Sequence, residues 1–285
     1  VNGSYETGRA CALAVAGGRD LARVAARYEG LFPPEAFDGG LYASLAMAGA
    51  FAAPWAGASG LRAVNRASLL VFAVDRLIDH EAAERDEVAA LVADCLAAAG
   101  GEPPVSPAAR FTAGLREELA SSPGFPVLAA AWRDQLGRML AAMAREWDWS
   151  HGGEPPALAE YLDNAAGTGA LFVGVTHWIA TGLVTAPADL DRLREPGDAV
   201  QRYLRLLNDL ATHGRESAYG DVNAFTLGLS GDEVTARMAE LADRAEALIE
   251  PLRADLPRAA EYLSWQLHYS TGFYGLSDFW AGRDS

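Results

Sequence analysis

The sequence predicts an all-α fold, a single-domain helical bundle of about ten helices around a central apolar pocket. Three observations lead there. Apolar residues recur at three- and four-residue spacing through most of the chain, the two-residue alternation of half-buried strands is lacking, and clusters of Gly and Pro punctuate the pattern. At 285 residues and 51% hydrophobic content, the chain can bury one large core. No interruption is long or polar enough to read as an interdomain linker, so residues 1–285 are expected to form one domain.

Helices are expected near 8–30, 40–56, 60–80, 83–99, 106–120, 125–148, 157–182, 188–216, 231–254 and 257–279. The 40–56 stretch is rich in Ala and Gly and meets Pro54, while 60–80 opens on a run that is apolar nearly all round and so reads as an interior helix. Gly100-Gly-Glu-Pro-Pro104, Ser122-Pro-Gly-Phe-Pro126 and Gly152-Gly-Glu-Pro-Pro156 are loops that separate the next three helices from their successors. Within 157–182, Gly167-Thr-Gly169 costs about 1 kcal/mol per glycine relative to alanine, which predicts a kink. Close helix packing through small residues is an alternative reason for those glycines. The uncharged runs 39–61 and 164–188 are long enough to span a bilayer. Pro54 breaks the first, and Asn164, Thr168, Thr176, His177 and Thr181 interrupt the second, so both are read as buried helices with no stable membrane insertion.

Two polar signatures stand out against this apolar background. In the 188–216 helix, Asn208, Thr212 and Glu216 recur at i, i+4 and i+8 and so share a face. Arg205 and Arg215 fall within about 60° of it, whereas Leu204, Leu206, Leu207 and Leu210 occupy the rest of the circumference and should be buried. The second signature is Asp75 and Asp79, four apart at the end of an apolar helix, with Arg76 between them. Stacked carboxylates repel unless a cation sits between, and magnesium, with its preference for oxygen ligands, carboxylates and substrate phosphates, suits both sets. A pair of solvated helix faces is the plainer reading of each motif alone.

On these residues the chain resembles class I terpene synthases, in which an aspartate-rich motif and an Asn/Asp, Ser/Thr, Glu motif bind three Mg2+ ions and the substrate diphosphate. Arg205-Leu-Leu-Asn-Asp209, Arg215-Glu216 and Gly220-Asp-Val-Asn-Ala-Phe-Thr-Leu227 look like the corresponding run of plant-type, labdane-related diterpene synthases. Glu146-Trp-Asp-Trp149 and Pro155-Pro-Ala-Leu-Ala-Glu-Tyr-Leu-Asp-Asn164 resemble the segment leading to their kinked helix. The resemblance implies a bacterial-sized α domain with Asp75, Asp79, Asn208, Thr212 and Glu216 as metal ligands. It also implies Arg205 and Arg215 as diphosphate contacts and Gly169 at a break whose carbonyls meet the substrate. The motif departs from the family where Arg76 replaces a second acid, which puts the weight on Asp75 with Asp79 auxiliary. Ala165 stands near the place of a bacterial diphosphate-sensing arginine, and His268-Tyr269 near that of a C-terminal Arg-Tyr pair.

The implied chemistry is ionisation of an allylic diphosphate, with the carbocation held away from water by aromatics. Candidates for that lining are Phe72, Trp147, Trp149, Phe172, Trp178, Trp265, Tyr269, Phe273 and Trp280, of which fewer than half are expected to serve. His213, about 140° from Asn208, should face away. The plant-like motifs imply a bicyclic copalyl-type diphosphate. An Asp-Xaa-Asp-Asp motif is lacking, so a class II diterpene cyclase would act upstream. Acyclic geranylgeranyl or farnesyl diphosphate, a head-to-head prenyl synthase and a non-enzymatic helical anion-binding protein are the alternatives.

Charge narrows the partners. All 23 basic residues are arginine, which removes any Schiff-base or P-loop lysine, and the formal charge of −15 argues against nucleic acid. Cys11 and Cys95 are too few for a disulfide framework, no secretory leader is expected, and a cytoplasmic location follows. Val1 is not a methionine, so upstream sequence is expected; the patterning leaves room for a homodimer.

Overall fold

The computed structural model describes the backbone of residues 2–216, 222–276 and 279, and the side chains of the same residues except 2 and 214–216. Eleven α-helices follow one another among the described residues. They are α1 (Asn2–Ala25), α2 (Gly39–Ala52), α3 (Ala58–Arg76), α4 (Arg85–Gly100), α5 (Pro107–Leu119), α6 (Phe125–Ser150), α7 (Leu158–Ala165), α8 (Gly169–Ala180), α9 (Pro187–Glu216), α10 (Gly231–Ile249) and α11 (Pro257–Tyr274). A π-helical turn, Leu77–Glu81, continues α3, and a 3-10 turn, Glu250–Arg253, continues α10. No strand occurs among the described residues.

Helix ends follow local chemistry. Asp38 accepts from the Leu41 amide at 2.9 Å to start α2, and Ser106 accepts from the Ala109 amide at 3.1 Å to start α5, with Pro107 preset in the first turn. Reciprocal capping boxes, Glu84 with Glu87 and Ser230 with Glu233, open α4 and α10. After α4 the chain reverses at Gly101, whose φ of 97° suits glycine alone at low cost.

Where the sequence suggests one domain, the chain divides into two compact units. The first comprises residues 1–137, 172–187 and 279–285, and the second 138–171 and 188–278, so that the divisions fall inside α6 and α8. In the first unit α1 packs on α2 and α3, and α5 on α3 and α4. Glycines set the closeness of that packing: a methyl added at Gly17 would lie 2.6 Å from Asn65 Nδ2, and one at Gly49 would lie 2.6 Å from Asn65 Oδ1. Trp132, fully buried, donates to Thr176 Oγ1 at 3.0 Å and meets Phe125 and Phe172 with ring centroids 5.9 and 5.7 Å away. The 39–61 run forms α2, a turn at Pro54 and the start of α3, and Arg9 donates to the carbonyls of Pro54 and Ala56 at 2.6 and 3.3 Å. Among the described residues, no helix is long and apolar enough to cross a membrane.

In the second unit the expected kink is a full break. α7 stops at Ala165 and α8 starts at Gly169. Gly167 has no room for a side chain there, since a Cβ would lie 3.0 Å from Ala142 Cβ and 3.1 Å from the Arg138 carbonyl. Close packing on α6 is therefore the reason for that glycine. Gln201 of α9 seals the break by donating to the Thr168 carbonyl at 2.5 Å. Despite Pro196, α9 runs as one helix, and a Cβ at Gly197 would meet Leu171 at 2.6 Å. Leu206 and Leu207 are buried as expected. Leu210 is 41% exposed, because the expectation assumed that everything off the polar stripe is covered.

Candidate active site

Asp75 lies in the last turn of α3 and is half-buried, whereas Asp79 lies in the π-helical turn and is exposed. The Ala82 amide donates to the Leu77 carbonyl at 2.9 Å, five residues back, so the turn is one residue wider than an α-turn. The acidic motif therefore spans a change from α-helical to π-helical register. Arg76, which occupies the place of a second acid, pairs with Glu81, also five residues on and therefore on the same side of a π turn. Phe72, one turn before Asp75, meets Phe279 edge-on at 5.5 Å.

On α9, Asn208 is half-buried and its Nδ2 donates to the Tyr274 hydroxyl at 3.4 Å, which turns the amide oxygen to the opposite side. Thr212 is 3% exposed, and its hydroxyl donates to the Asn208 carbonyl at 2.7 Å. With its hydrogen committed there, the Thr212 oxygen offers only lone pairs. Glu216 ends α9, one helical turn beyond Thr212; its side chain and that of Arg215 lie outside the described residues. Among the described residues no three His, Cys, Asp or Glu side chains form a metal-binding group. Amide, hydroxyl and carboxylate oxygens are nevertheless the hard donors that magnesium takes beside substrate phosphates, so the residues present fit that ion.

Each of the three nitrogens of Arg205 meets a protein acceptor. Nε donates to the Tyr161 hydroxyl and lies 3.2 Å from Asp209 Oδ1, Nη1 donates to Glu146 at 3.0 Å, and Nη2 donates to the Val222 carbonyl at 3.1 Å. The Tyr161 hydroxyl lies 2.8 Å from both Asp209 oxygens, and the Ala224 amide donates to Asp209 Oδ2 at 2.9 Å. Glu146 also accepts from Asn164 at 3.1 Å. Burial opposes the Arg205 charge, but Glu146, Tyr161 and Asp209 outweigh it and hold its pKa well above the usual arginine value. Burial raises the Tyr161 pKa well above a normal phenol, so this hydroxyl stays protonated. Glu146, Tyr161 and Asp209 lie in the family-like segments quoted from the sequence but were given no role there. Besides that resemblance, the signal was opposite charge at 205 and 209, four apart among the leucines 204, 206, 207 and 210.

Other predicted contacts separate by exposure. Trp178 and Phe172 expose none of their surface, so they belong to the core and line no open cavity. Trp147 is buried against His151, with the rings 4.0 Å apart. Trp265, Tyr269 and Phe273 are half-buried on one face of α11, with successive ring centroids 4.2 and 5.9 Å apart. His268 is 78% exposed with Nε2 3.5 Å from Glu246, so the structure places it at the surface beside α10. His213 faces away from Asn208, as expected, with its ring 3.9 Å from that of Phe225. Gly169 opens α8, and Trp280 lies outside the described residues.

An all-α chain with an oxygen-rich face on α9 and an acidic motif at the end of α3 is the architecture of a metal-dependent terpenoid enzyme. Residues 66–250 match the model of terpene synthase family 2, C-terminal metal binding, and the chain belongs to that family: it is a class I terpene synthase. It is 28% identical over 271 residues to ent-pimara-9(11),15-diene synthase of Streptomyces sp. (strain KO-3988), covering 91% of this chain and 89% of that protein. Its fold is similar to that of 2-methylisoborneol synthase from Streptomyces coelicolor A3(2), solved with Mg2+ and geranyl-S-thiolodiphosphate, at a TM-score of 0.75 and 16% identity over 90% of each chain. Abietadiene synthase from Abies grandis matches 94% of this chain with 38% of its own, at a TM-score of 0.67 and 17% identity.

Proposed function

We propose that the protein is a diterpene synthase that ionises a copalyl-type bicyclic diphosphate and cyclises or deprotonates the resulting carbocation. One observation carries the reading: Asn208, Thr212 and Glu216 recur at i, i+4 and i+8 on α9, inside a region that matches a metal-binding family and also contains Asp75. The relationship to a pimaradiene synthase over nine-tenths of the chain supports a diterpene substrate, and the Mg2+ complex of a protein of similar fold supports that ion.

On this reading Asp75, with Asp79 auxiliary, and Asn208, Thr212 and Glu216 hold three Mg2+ ions, and the two compact units work as one functional domain. When bound, the ions neutralise charge growing on the departing diphosphate. Arg215 supplies the accompanying guanidinium. Thr212 contributes a lone pair because its hydrogen is held by the Asn208 carbonyl, and Tyr274 keeps the amide oxygen of Asn208 available. Half-buried aromatics, Phe72, Tyr269 and Phe273 among them, give the cation ring faces worth about 0.5–2 kcal/mol each. A class II cyclase supplies the bicycle, and two free cysteines suit a reducing cytoplasm.

The test is incubation with geranylgeranyl, farnesyl and each enantiomer of copalyl diphosphate, with and without EDTA, followed by mass spectrometry of the extracts. The account expects an EDTA-sensitive twenty-carbon hydrocarbon or alcohol from one copalyl enantiomer. Turnover of farnesyl diphosphate alone would overturn the assigned substrate.

A further inference from the structure

The reading of α9 as a metal-ligand helix leaves unexplained the charged groups buried beside it. Asp209 is the one charged side chain in the fully buried class among the described residues. It follows Asn208 directly, so the direction in which Asp209 points fixes that of Asn208, about 100° around the helix axis. Arg205, Asp209 and His213 recur at i, i+4 and i+8 and form a stripe adjacent to Asn208, Thr212 and Glu216. Each member of that stripe holds one residue of the segment that returns after α9: Arg205 the Val222 carbonyl at 3.1 Å, Asp209 the Ala224 amide at 2.9 Å, and His213 the Phe225 ring at 3.9 Å. The segment is itself shaped by Asn223, whose Oδ1 accepts from the Phe225 and Thr226 amides, both at 3.0 Å. From the other side, Tyr161 of α7 and Glu146 of α6 grip the same two residues, Asp209 and Arg205.

Leu206 and Leu207 also bury α9, but apolar contacts tolerate rotation and sliding, whereas ties with defined donors and acceptors do not. Turning α9 by one residue would break the Val222, Ala224, Tyr161 and Glu146 ties together. We infer that Arg205, Asp209, Tyr161 and Glu146 are positioning residues, a clasp that sets the rotation of the α9 metal-ligand face and through it governs cation uptake. The inference rests on the proposed role of Asn208 and Thr212.

The experiment titrates Mn2+, in the presence of inorganic diphosphate, into the full chain and follows bound metal by electron paramagnetic resonance, alongside thermal melting by circular dichroism. Tyr161→Phe deletes one hydroxyl and Asp209→Asn one charge. Arg202→Ala is the control: Arg202 also ties α9 to α7, through Asp163 at 3.1 Å and the Leu162 carbonyl at 3.2 Å, but lies outside the clasp. Tyr161→Phe is expected to raise the half-saturating Mn2+ concentration by about tenfold, as loss of groups that orient metal ligands does, while remaining folded. Asp209→Asn should do so by more, and Arg202→Ala should leave it unchanged. If Tyr161→Phe and Arg202→Ala both bind Mn2+ as the parent does, or if both weaken it equally, the clasp has no positioning role. Asn208→Ala separates the two readings: undiminished Mn2+ binding in that variant overturns the metal assignment itself, whereas loss there with parental binding in Tyr161→Phe overturns the clasp alone.

Discussion

The two compact units present their polar motifs in different ways. In the first, the acidic motif ends a helix whose buried neighbours are apolar, and every buried polar side chain of that unit is uncharged or, like His177, kept neutral. Its register then changes at a π-helical turn, which leaves Asp75 half-buried and Asp79 exposed. In the second, the α9 stripe keeps strict α-helical register and is flanked by a buried carboxylate, a guanidinium and a phenol that bond one another. The difference teaches that one motif leaves its carboxylates at or near solvent, while the other is held in a fixed orientation by the charged groups buried beside it.

That contrast can be broken by substitution. If the π turn demotes Asp79, Asp75→Asn should lower turnover by about a thousandfold and Asp79→Asn by about tenfold. Steady-state rates of diphosphate release would show it, and equal losses would mean that both aspartates are full ligands. On the other unit, Arg205→Ala strands Glu146 and Asp209 without their cation and should cost about 3–5 kcal/mol in urea unfolding. A loss under about 1 kcal/mol, typical of exposed pairs, would mean that the cluster is solvated.

The neutral interior of the first unit has its own signature. Burial pushes the His177 pKa down to about 4 from the ordinary value near 6.5. Its folded form binds no proton over a window in which the unfolded chain does. Stability should therefore be undiminished above about pH 6.5 and fall as the pH drops toward about 4, by up to about 3 kcal/mol. Urea midpoints at pH 7, 6 and 5, with His177→Leu flattening the trend, would check this. Smallest in effect, burial raises the Cys95 thiol to about 12, so Cys11, which is exposed, should be the one cysteine labelled by a thiol reagent at pH 8 in the folded chain.

Much of the helical framework is legible in the sequence because Gly-Pro clusters and apolar periodicity act locally. The break between α7 and α8 is read from Gly167 and Gly169, although its reason, the contact of Gly167 with Ala142 and Arg138, is tertiary. The helical spacing of Asn208, Thr212 and Glu216 on α9 is equally legible, since sharing a helix face needs only a four-residue interval. What escapes is assembled from distant residues. Tyr161, Glu146 and the Val222 carbonyl converge on Arg205 from separate elements, a convergence that no local pattern around residue 205 announces. Likewise the π turn depends on one shifted backbone hydrogen bond, which no side-chain pattern announces. Aromatics show the same limit: Trp178 and Tyr269 are alike in helical spacing, and only burial separates a core residue from a half-exposed one.

The central proposal is that Asp75 and Asn208 are both required for Mg2+-dependent release of the diphosphate. A double-mutant cycle on Mg2+-dependent release of inorganic diphosphate, with Asp75→Asn, Asn208→Ala and the pair combined, tests it most directly. The account predicts that the double variant is no slower than the slower single one, because either loss alone already stops the metal-assisted ionisation. Losses that multiply would show two independent contributions and contradict it.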